Sequence, residues 1–559
     1  MSDPRAFLAL DLGTATSSAA LIGRLAHRWR LLGSLALPAG IDPDAISREV
    51  VRRAVAADPA LARAVGLIEG ATGATGATGA ASAAEPGGRP AAVSFANPPR
   101  LVARSVPPRT ILVCAANARA REPFLDAARA TGWRTRDASA DRTNPLELMR
   151  ALLDPEVGVL LVGAGDPPGP DERRLVDELA AIVSGAVARR PDLTVILAGG
   201  MADQLSRLEA AGGGDRRGEI LLGPAATAGD PAGSALRDLL EDVRGGSNDP
   251  RRAAGRTASA LADVLDRRVE LLEIGFDGGV RASASPGIGG GEPATMVSIV
   301  ADAALVPPDP GDAIVDRVMA WTTISLDRHR LRDRLRELRL SPWGGVTGDG
   351  ARLRLAAARA AMAILVEATP GQSALPAPDL VVVAGGAFAS APGPAIALAV
   401  ADVVRRPGAV AVAYDHARLL GPLGMIPDGG ERRQAISDLV DDMLAPLGTI
   451  AIPGGIRAGT SAGRLTVHAG INASETDLVP GSLELIDLPP GETAIAEFHF
   501  RDMVRLGTRG RRFAVDVSGG LGGLLVDLRD VPLRMPERAE RRRELLDAWQ
   551  ESLWMTRDR

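Results

Sequence analysis

Residues 7–23, FLALDLGTATSSAALIG, run apolar, break at Asp11-Leu12-Gly13-Thr14, and run apolar again. The pattern returns at VELLEIGFDGGVRASAS, where Glu273-Ile274-Gly275 makes the break. An acid-x-Gly turn between two strand-length apolar runs predicts a β-hairpin. Two such hairpins, one in each half of the chain, constrain the fold more than any other feature. Each half is expected to open on the same plan.

Downstream of each hairpin, short strands and helices alternate. After the first come WRLLGSLALP as a third strand and an Asp42-Pro43 helix start, with Ile46, Val50 and Ala54 at helical spacing. The run at 70–92, GATGATGATGAASAAEPGG at its centre, has no large apolar residue and predicts a surface loop. TILVCAAN, VGVLLVG and LTVILAGG are then buried strands separated by helices, the pattern of a parallel α/β sheet. The second half adds a helix near 311–321, an Arg-rich helix with a Leu331, Leu335, Leu338 stripe, and the strand DLVVVAGGAF. Beyond about residue 445, short strands spaced by Gly and Pro turns predict a β-rich unit. A terminal amphipathic helix is expected over 536–559. The expected segments are thus 1–265, 266–445, 446–535 and 536–559.

Composition narrows the chemistry. The 559 residues are 46% apolar and 24% charged, with a net charge of −5, which describes an ordinary folded protein with no global attraction to nucleic acid or anionic membranes. No apolar run reaches membrane-spanning length, and Asp3, Arg5 and Asp11 interrupt any signal-peptide core, so a cytoplasmic location is expected. The single cysteine, Cys114, has no partner for an internal disulfide. All 64 basic residues are arginine. The absence of lysine excludes a Walker A lysine, a kinase-type strand lysine and a Schiff-base lysine. Five histidines without ligand spacing argue against a zinc site.

The candidate chemistry therefore sits in the glycine turns. A Gly-rich hairpin lets backbone N–H groups approach phosphate oxygens with no Cβ in the way. Thr14 and Thr16 add hydroxyl donors, and Asp11 can hold a hydrated Mg²⁺ through water. Glu273, Gly275 and Asp277 form the corresponding set opposite, and Gly385-Gly386 ends a buried strand where a nucleoside can lie against backbone. Two such hairpins facing one another grip a triphosphate from both sides. Asp415-His416 beside Tyr414 reads as a polar cluster at a sheet end, and GIGGG at 287–291 as a loop.

The order of these elements resembles the actin, sugar-kinase and Hsp70-type ATPase superfamily. Within it, the chain is similar to the glutamate mutase accessory protein family (MutL or GlmL). The similarity rests on ALDLGTATSSAALI, VGVLLVGAGD followed by VILAGG, DAIVDRVMAWTTISLDRHRLRDRL, VVVAGGAF and AYDHARLLGPLGMI, and covers roughly residues 5–445. It implies an α/β fold of two ribonuclease H-like lobes around a nucleotide cleft, to which the strand pattern beyond residue 445 adds an expected C-terminal all-β domain. It implies ATP or ADP with Mg²⁺, and an adenosylcobalamin-dependent mutase subunit as the partner of a chaperone-like reactivating factor. On this resemblance Asp11, Gly13, Thr14 and Thr16 are the first phosphate loop, and Gly385 and Gly386 the adenosine motif. A non-hydrolysing actin-like scaffold and a small-molecule kinase are the alternatives. The second loop departs from the family: Asp-Ile-Gly-Gly-Ala-Thr-Thr-Asp is replaced by Glu273-Ile274-Gly275-Phe276-Asp277-Gly278-Gly279, without hydroxyls. Phe276 is expected to be a core residue at the turn, and hydrolysis to suffer.

Overall fold

The computed structural model describes residues 5–67, 98–212, 218–225, 234–245, 250–287, 289, 291–368 and 376–555. The loop expected over 70–92 and parts of GIGGG lie outside the described residues.

The first hairpin opens a four-stranded sheet of β1 (Ala6–Leu12), β2 (Thr16–Leu25), β3 (Arg28–Pro38) and β4 (Arg100–Arg104), ordered β3-β2-β1-β4. β1, β2 and β3 are antiparallel neighbours, and β4 runs parallel to β1. The helix Pro43–Ala57 starts at the expected cap, where the Asp42 carboxylate accepts the Asp44 amide at 3.1 Å. Ile46, Val50 and Val51 turn one face of it onto the sheet, meeting Leu8, Leu10 and Leu21.

A second sheet comes next: β5 (Thr110–Ala115), β6 (Arg134–Ser139), β7 (Val157–Ala164), β8 (Thr194–Gly199) and β9 (Ile220–Gly223). Its order is β6-β5-β7-β8-β9 and every neighbour pair is parallel. The central strands β5, β7 and β8 are apolar on both faces because helices cover both, which gives the sheet two cores of its own. Residues 110–223 thus form a separate sheet, set between β4 and the helix Pro250–Leu265. Cys114 is buried at its centre, where desolvation holds the thiol well above its ordinary range and leaves it inert.

The second hairpin opens the third sheet. β10 (Val269–Ile274), β11 (Gly279–Ser285) and β12 (Ala294–Val300) are antiparallel, and β13 (Leu380–Ala384) and β14 (Gly408–Asp415) continue parallel to β10. The order β12-β11-β10-β13-β14 repeats β3-β2-β1-β4 with one strand more. This is the duplicated ribonuclease H-like plan of a two-lobed, actin-like fold. The lobes share a core: Phe7, Ala9, Ala20 and Ile22 of the first sheet pack with Ala258, Leu261, Val382 and Leu439 of the second half.

The C-terminal region is β-rich, and it is divided between two sheets. β15 (Leu444–Ile452), β18 (Leu483–Ile486) and β21 (Leu524–Asp527) extend the second-lobe sheet beyond β14. β16 (Gly463–Ala469), β17 (Asn472–Leu478), β19 (Thr493–Leu506) and β20 (Thr508–Ser518) form a sheet that packs Leu465, Phe498 and Phe500 against Ala451, Leu524 and Val526. The helix Ala539–Met555 docks Leu546, Trp549 and Leu553 on the opposite face of the lobe. Among the described residues, no helix is long and apolar enough to cross a membrane.

Candidate functional site

The two hairpin turns are built alike. The Gly13 amide donates to the Thr16 carbonyl at 2.9 Å, and the Gly275 amide donates to the Gly278 carbonyl at 2.9 Å. A Cβ on Gly13 would stand 2.9 Å from the Thr16 carbonyl oxygen, and one on Gly275 3.0 Å from that of Gly278, so both turns close too tightly for a side chain. β13 pairs with β10 so that Ala384 lies beside Glu273, which carries Gly385 to the base of the second turn. Gly385 adopts φ +94°, and a Cβ there would meet the Ile274 carbonyl oxygen at 2.2 Å. Gly386 faces the other lobe: the position of its missing Cβ is 3.7 Å from Thr16 Oγ1 and 3.7 Å from Arg418 Nη2.

Asp11, Gly13, Thr14, Thr16, Glu273, Gly275, Asp277, Gly385 and Gly386 all line one cavity between the lobes. Four of its other lining groups carry no distinguishing signal in the sequence: Ser105 after β4, Arg251 on the helix Pro250–Leu265, Arg354 on the helix Gly348–Glu367, and Arg418 after β14. In a chain whose every cation is arginine, nothing local marks these three arginines apart from the other 61. Arg251 donates to the Asp277 carbonyl at 3.0 Å, and Arg354 to the Pro342 carbonyl at 2.8 Å. Both are 7% exposed. Arg418 holds a left-handed φ of +55°, uncommon for a residue with a side chain.

The acids are unequal. Desolvation pushes the Asp11 carboxyl up to about 6, against the pull of Arg418 and with a further push from Asp415. Asp415 is likewise raised to about 6 by burial, and its carboxylate accepts the Leu419 and Leu420 amides at 3.1 Å each. Its neighbour His416 turns away, Nε2 lying 2.9 Å from the Asp442 carbonyl, so this trio serves the fold as a polar cluster. Asp277 is 5% exposed and engaged: Arg339 Nη2 donates to its Oδ1 at 2.8 Å. Arg339 comes from the Arg-rich helix Arg328–Leu340, whose leucine stripe is buried while Arg328, Arg332 and Arg336 pair with Asp316, Asp312 and Asp309. Phe276 lies in the second-lobe core with Ala15, Leu305 and Leu338. It occupies the turn as an apolar anchor, as expected.

The arrangement suits phosphate: two turns of backbone N–H groups face one another, with guanidinium groups around them. It suits a protein-held metal less. Asp11 stands among arginines, Asp277 is already paired, and among the described residues no cluster of three His, Cys, Asp or Glu is placed to hold an ion. The cavity is about 60 Å³, room for a few waters, whereas pockets for small molecules run to roughly 300–1,000 Å³. The lobes are closed on it. Trp343 Nε1 donates to the Ala15 carbonyl at 3.1 Å, latching the second lobe to the tip of the first hairpin. A larger cleft of about 810 Å³ lies between the inserted sheet and the second lobe. Several of its charges already meet one another, as in Arg317–Glu367 at 2.7 Å and Arg136–Glu156 at 2.6 Å.

No protein-family profile matches the sequence, and no curated protein matches it. Among solved structures, the ligand-bound xylulose kinase from Lactobacillus acidophilus is 10% identical, covering 79% of this chain and 92% of its own, with a TM-score of 0.25. The PilM-PilN type IV pilus biogenesis complex is 11% identical over 76% of this chain and 98% of that one, at 0.24. A carbohydrate kinase from Novosphingobium aromaticivorans is 12% identical over 76% and 92%, at 0.21. The two-lobed fold stands on its duplicated strand order, independently of these distant likenesses.

Proposed function

We propose that this chain is a nucleotide-binding clamp that works by opening and closing, as a chaperone-like accessory or reactivating factor for an adenosylcobalamin-dependent mutase. The observation that carries the nucleotide reading is the convergence of both hairpin turns and the Gly385-Gly386 turn on one interlobe cavity. Backbone amides at the turn tips, residues 14–15 and 276–277, supply the phosphate contacts while those of Gly13 and Gly275 close the turns, and the flat surface at Gly386 admits a nucleoside. The mutase partner follows from the resemblance of the sequence to the glutamate mutase accessory family. ATP and ADP are the expected ligands, and their exchange biases the closed and open arrangements of the lobes.

Turnover is expected to be slow or absent. Phe276 fills the place of a loop glycine, Asp277 is committed to Arg339 and the loop has no hydroxyl, so of its groups only Glu273 is left facing the cavity to orient an attacking water. This favours a second reading, a binding scaffold that responds to nucleotide without cleaving it. Calorimetric titration of the full chain with ATP and ADP, with and without a candidate mutase subunit, separates the readings. The accessory reading requires ATP to change the affinity for the mutase, or the mutase to stimulate phosphate release. Nucleotide binding indifferent to the mutase leaves the scaffold. A chain that binds neither nucleotide, at concentrations where its fold is intact, refutes both.

A further inference from the structure

Three arginines from three separate elements line the cavity that the glycine turns enclose. Arg354 is buried and its Nε meets no hydrogen-bond partner among the described residues, although Nη1 donates to the Pro342 carbonyl at 2.8 Å. Arg418 reaches in from the end of β14 beside Gly386 and Thr16, its backbone held in the left-handed region at φ +55°. Arg251 closes the same space from the start of its helix, holding the second turn by the Asp277 carbonyl at 3.0 Å. Opposite them stand Asp11 and Glu273, while the charge of Asp277 is answered by Arg339. Burial disfavours the charge of Arg354, and the nearby Arg418 guanidinium acts on it in the same direction. Two like charges kept in a small, poorly hydrated space are costly unless an anion joins them.

We propose that the cleft neutralises its ligand's phosphates with Arg354 and Arg418 rather than with a divalent cation, so that it binds ATP and ADP independently of Mg²⁺. The inference rests on the reading of this cavity as a nucleotide site. Guanidinium groups are suited to phosphate, because each offers a planar fork of donors to its oxygens and stays charged at every physiological pH. Arg418 also takes up part of the ground beside Asp11, shared with Glu273 and Asp415, on which a hydrated Mg²⁺ would otherwise sit. The lost hydroxyls of the second loop fit the same picture, since its phosphate contacts no longer depend on them.

The test is calorimetric titration of the full-length chain with ATP and with ADP, in buffer containing Mg²⁺ and in buffer containing EDTA. Dissociation constants within about threefold of one another in the two buffers are expected. Arg418→Asn keeps a residue that tolerates φ +55° while removing the charge, and is expected to weaken ATP binding by about tenfold or more in EDTA. Its thermal unfolding should stay near that of the parent chain. Binding that appears only with Mg²⁺ overturns the arginine proposal and leaves the nucleotide reading standing. Binding in EDTA that Arg418→Asn does not weaken overturns the role given to Arg418. Absence of binding in both buffers overturns the proposal together with the nucleotide reading.

Discussion

At Gly385 the backbone adopts φ +94° with the Ile274 carbonyl oxygen 2.2 Å from where a Cβ would be, and that oxygen belongs to a paired strand that cannot withdraw. Gly385→Ala should therefore lower stability by roughly 3 kcal/mol, from a strained dihedral and a backbone clash together. Urea unfolding measures this directly; an unchanged midpoint would show that the turn relaxes at no cost. Asp11 makes the opposite case, a side chain whose charge the fold disfavours. Its carboxyl is raised from 3.8 to about 6, so between these values the folded chain holds more protons than the unfolded one. Stability from this group is full below the lower value and is lost as pH rises through about 6. Asp11→Asn should raise the melting temperature at about pH 7.5 and flatten the melting profile between about pH 4 and 6. A variant that melts lower near neutral pH would mean that the ionised carboxylate is stabilising where it stands. The residue-level core of the site was legible because a hairpin is a local object: alternating apolar runs, an acid and a glycine turn are all contiguous. Arg251, Arg354 and Arg418 were not, because their meeting depends on helices and strands brought together from across the chain.

At the scale of elements, the same division holds. The strand order of each lobe follows from a hairpin, a third antiparallel strand and a parallel return. Strand–helix alternation over 110–223 looks the same whether the strands extend an existing sheet or found a new one, and only long-range pairing decides. So too for β15, β18 and β21, whose short apolar segments resemble those of the sheet packed against them. A buried ionic chain adds to the strand pairing and apolar packing that tie the late strands to the lobe. Arg359 Nε lies 2.6 Å from Asp402 Oδ2, Arg529 Nη1 lies 2.8 Å from Asp402 Oδ1, and Arg529 Nη2 lies 2.7 Å from Asp527 Oδ2, with Arg405 also on Asp527. Trp549 of the terminal helix covers Arg529 at 4.4 Å. Breaking a buried pair from one side costs more than the pair contributes, because the partner charge stays behind without water. Asp402→Asn leaves two guanidinium groups in that position and should cost about 3–5 kcal/mol. Loosening of the terminal helix should accompany it, seen as faster amide exchange over 539–553. A stable variant with unchanged exchange would place the anchoring of the helix in its apolar contacts alone.

At the scale of the whole molecule, the two lobes enclose a cavity of about 60 Å³, which the nucleotide reading proposed above requires to open. The shared apolar core beneath the cleft makes a hinge floor, and β3 is fastened to the helix Gly429–Met443 by Arg30 and the Trp29 and Leu31 amides on Asp438 and Asp442. At the mouth, the contact from Trp343 to the Ala15 carbonyl is a single neutral hydrogen bond, partly exposed, of the kind that contributes about 1 kcal/mol. On the proposed nucleotide reading, a cavity of about 60 Å³ cannot take a nucleotide until that mouth parts, and the opening rate is then expected to limit entry. Trp343→Phe keeps the ring and removes the donor. It should leave global stability within about 1 kcal/mol of the parent chain while raising the association rate of a fluorescent ATP analogue several-fold, in a stopped-flow experiment. Because the latch stabilises the closed form, whether empty or filled, the dissociation rate should rise too, and the equilibrium constant should move less than either rate. An association rate insensitive to Trp343 would place the barrier deeper, at the shared core, where Phe7 and Ile22 would have to part from Leu261 and Val382.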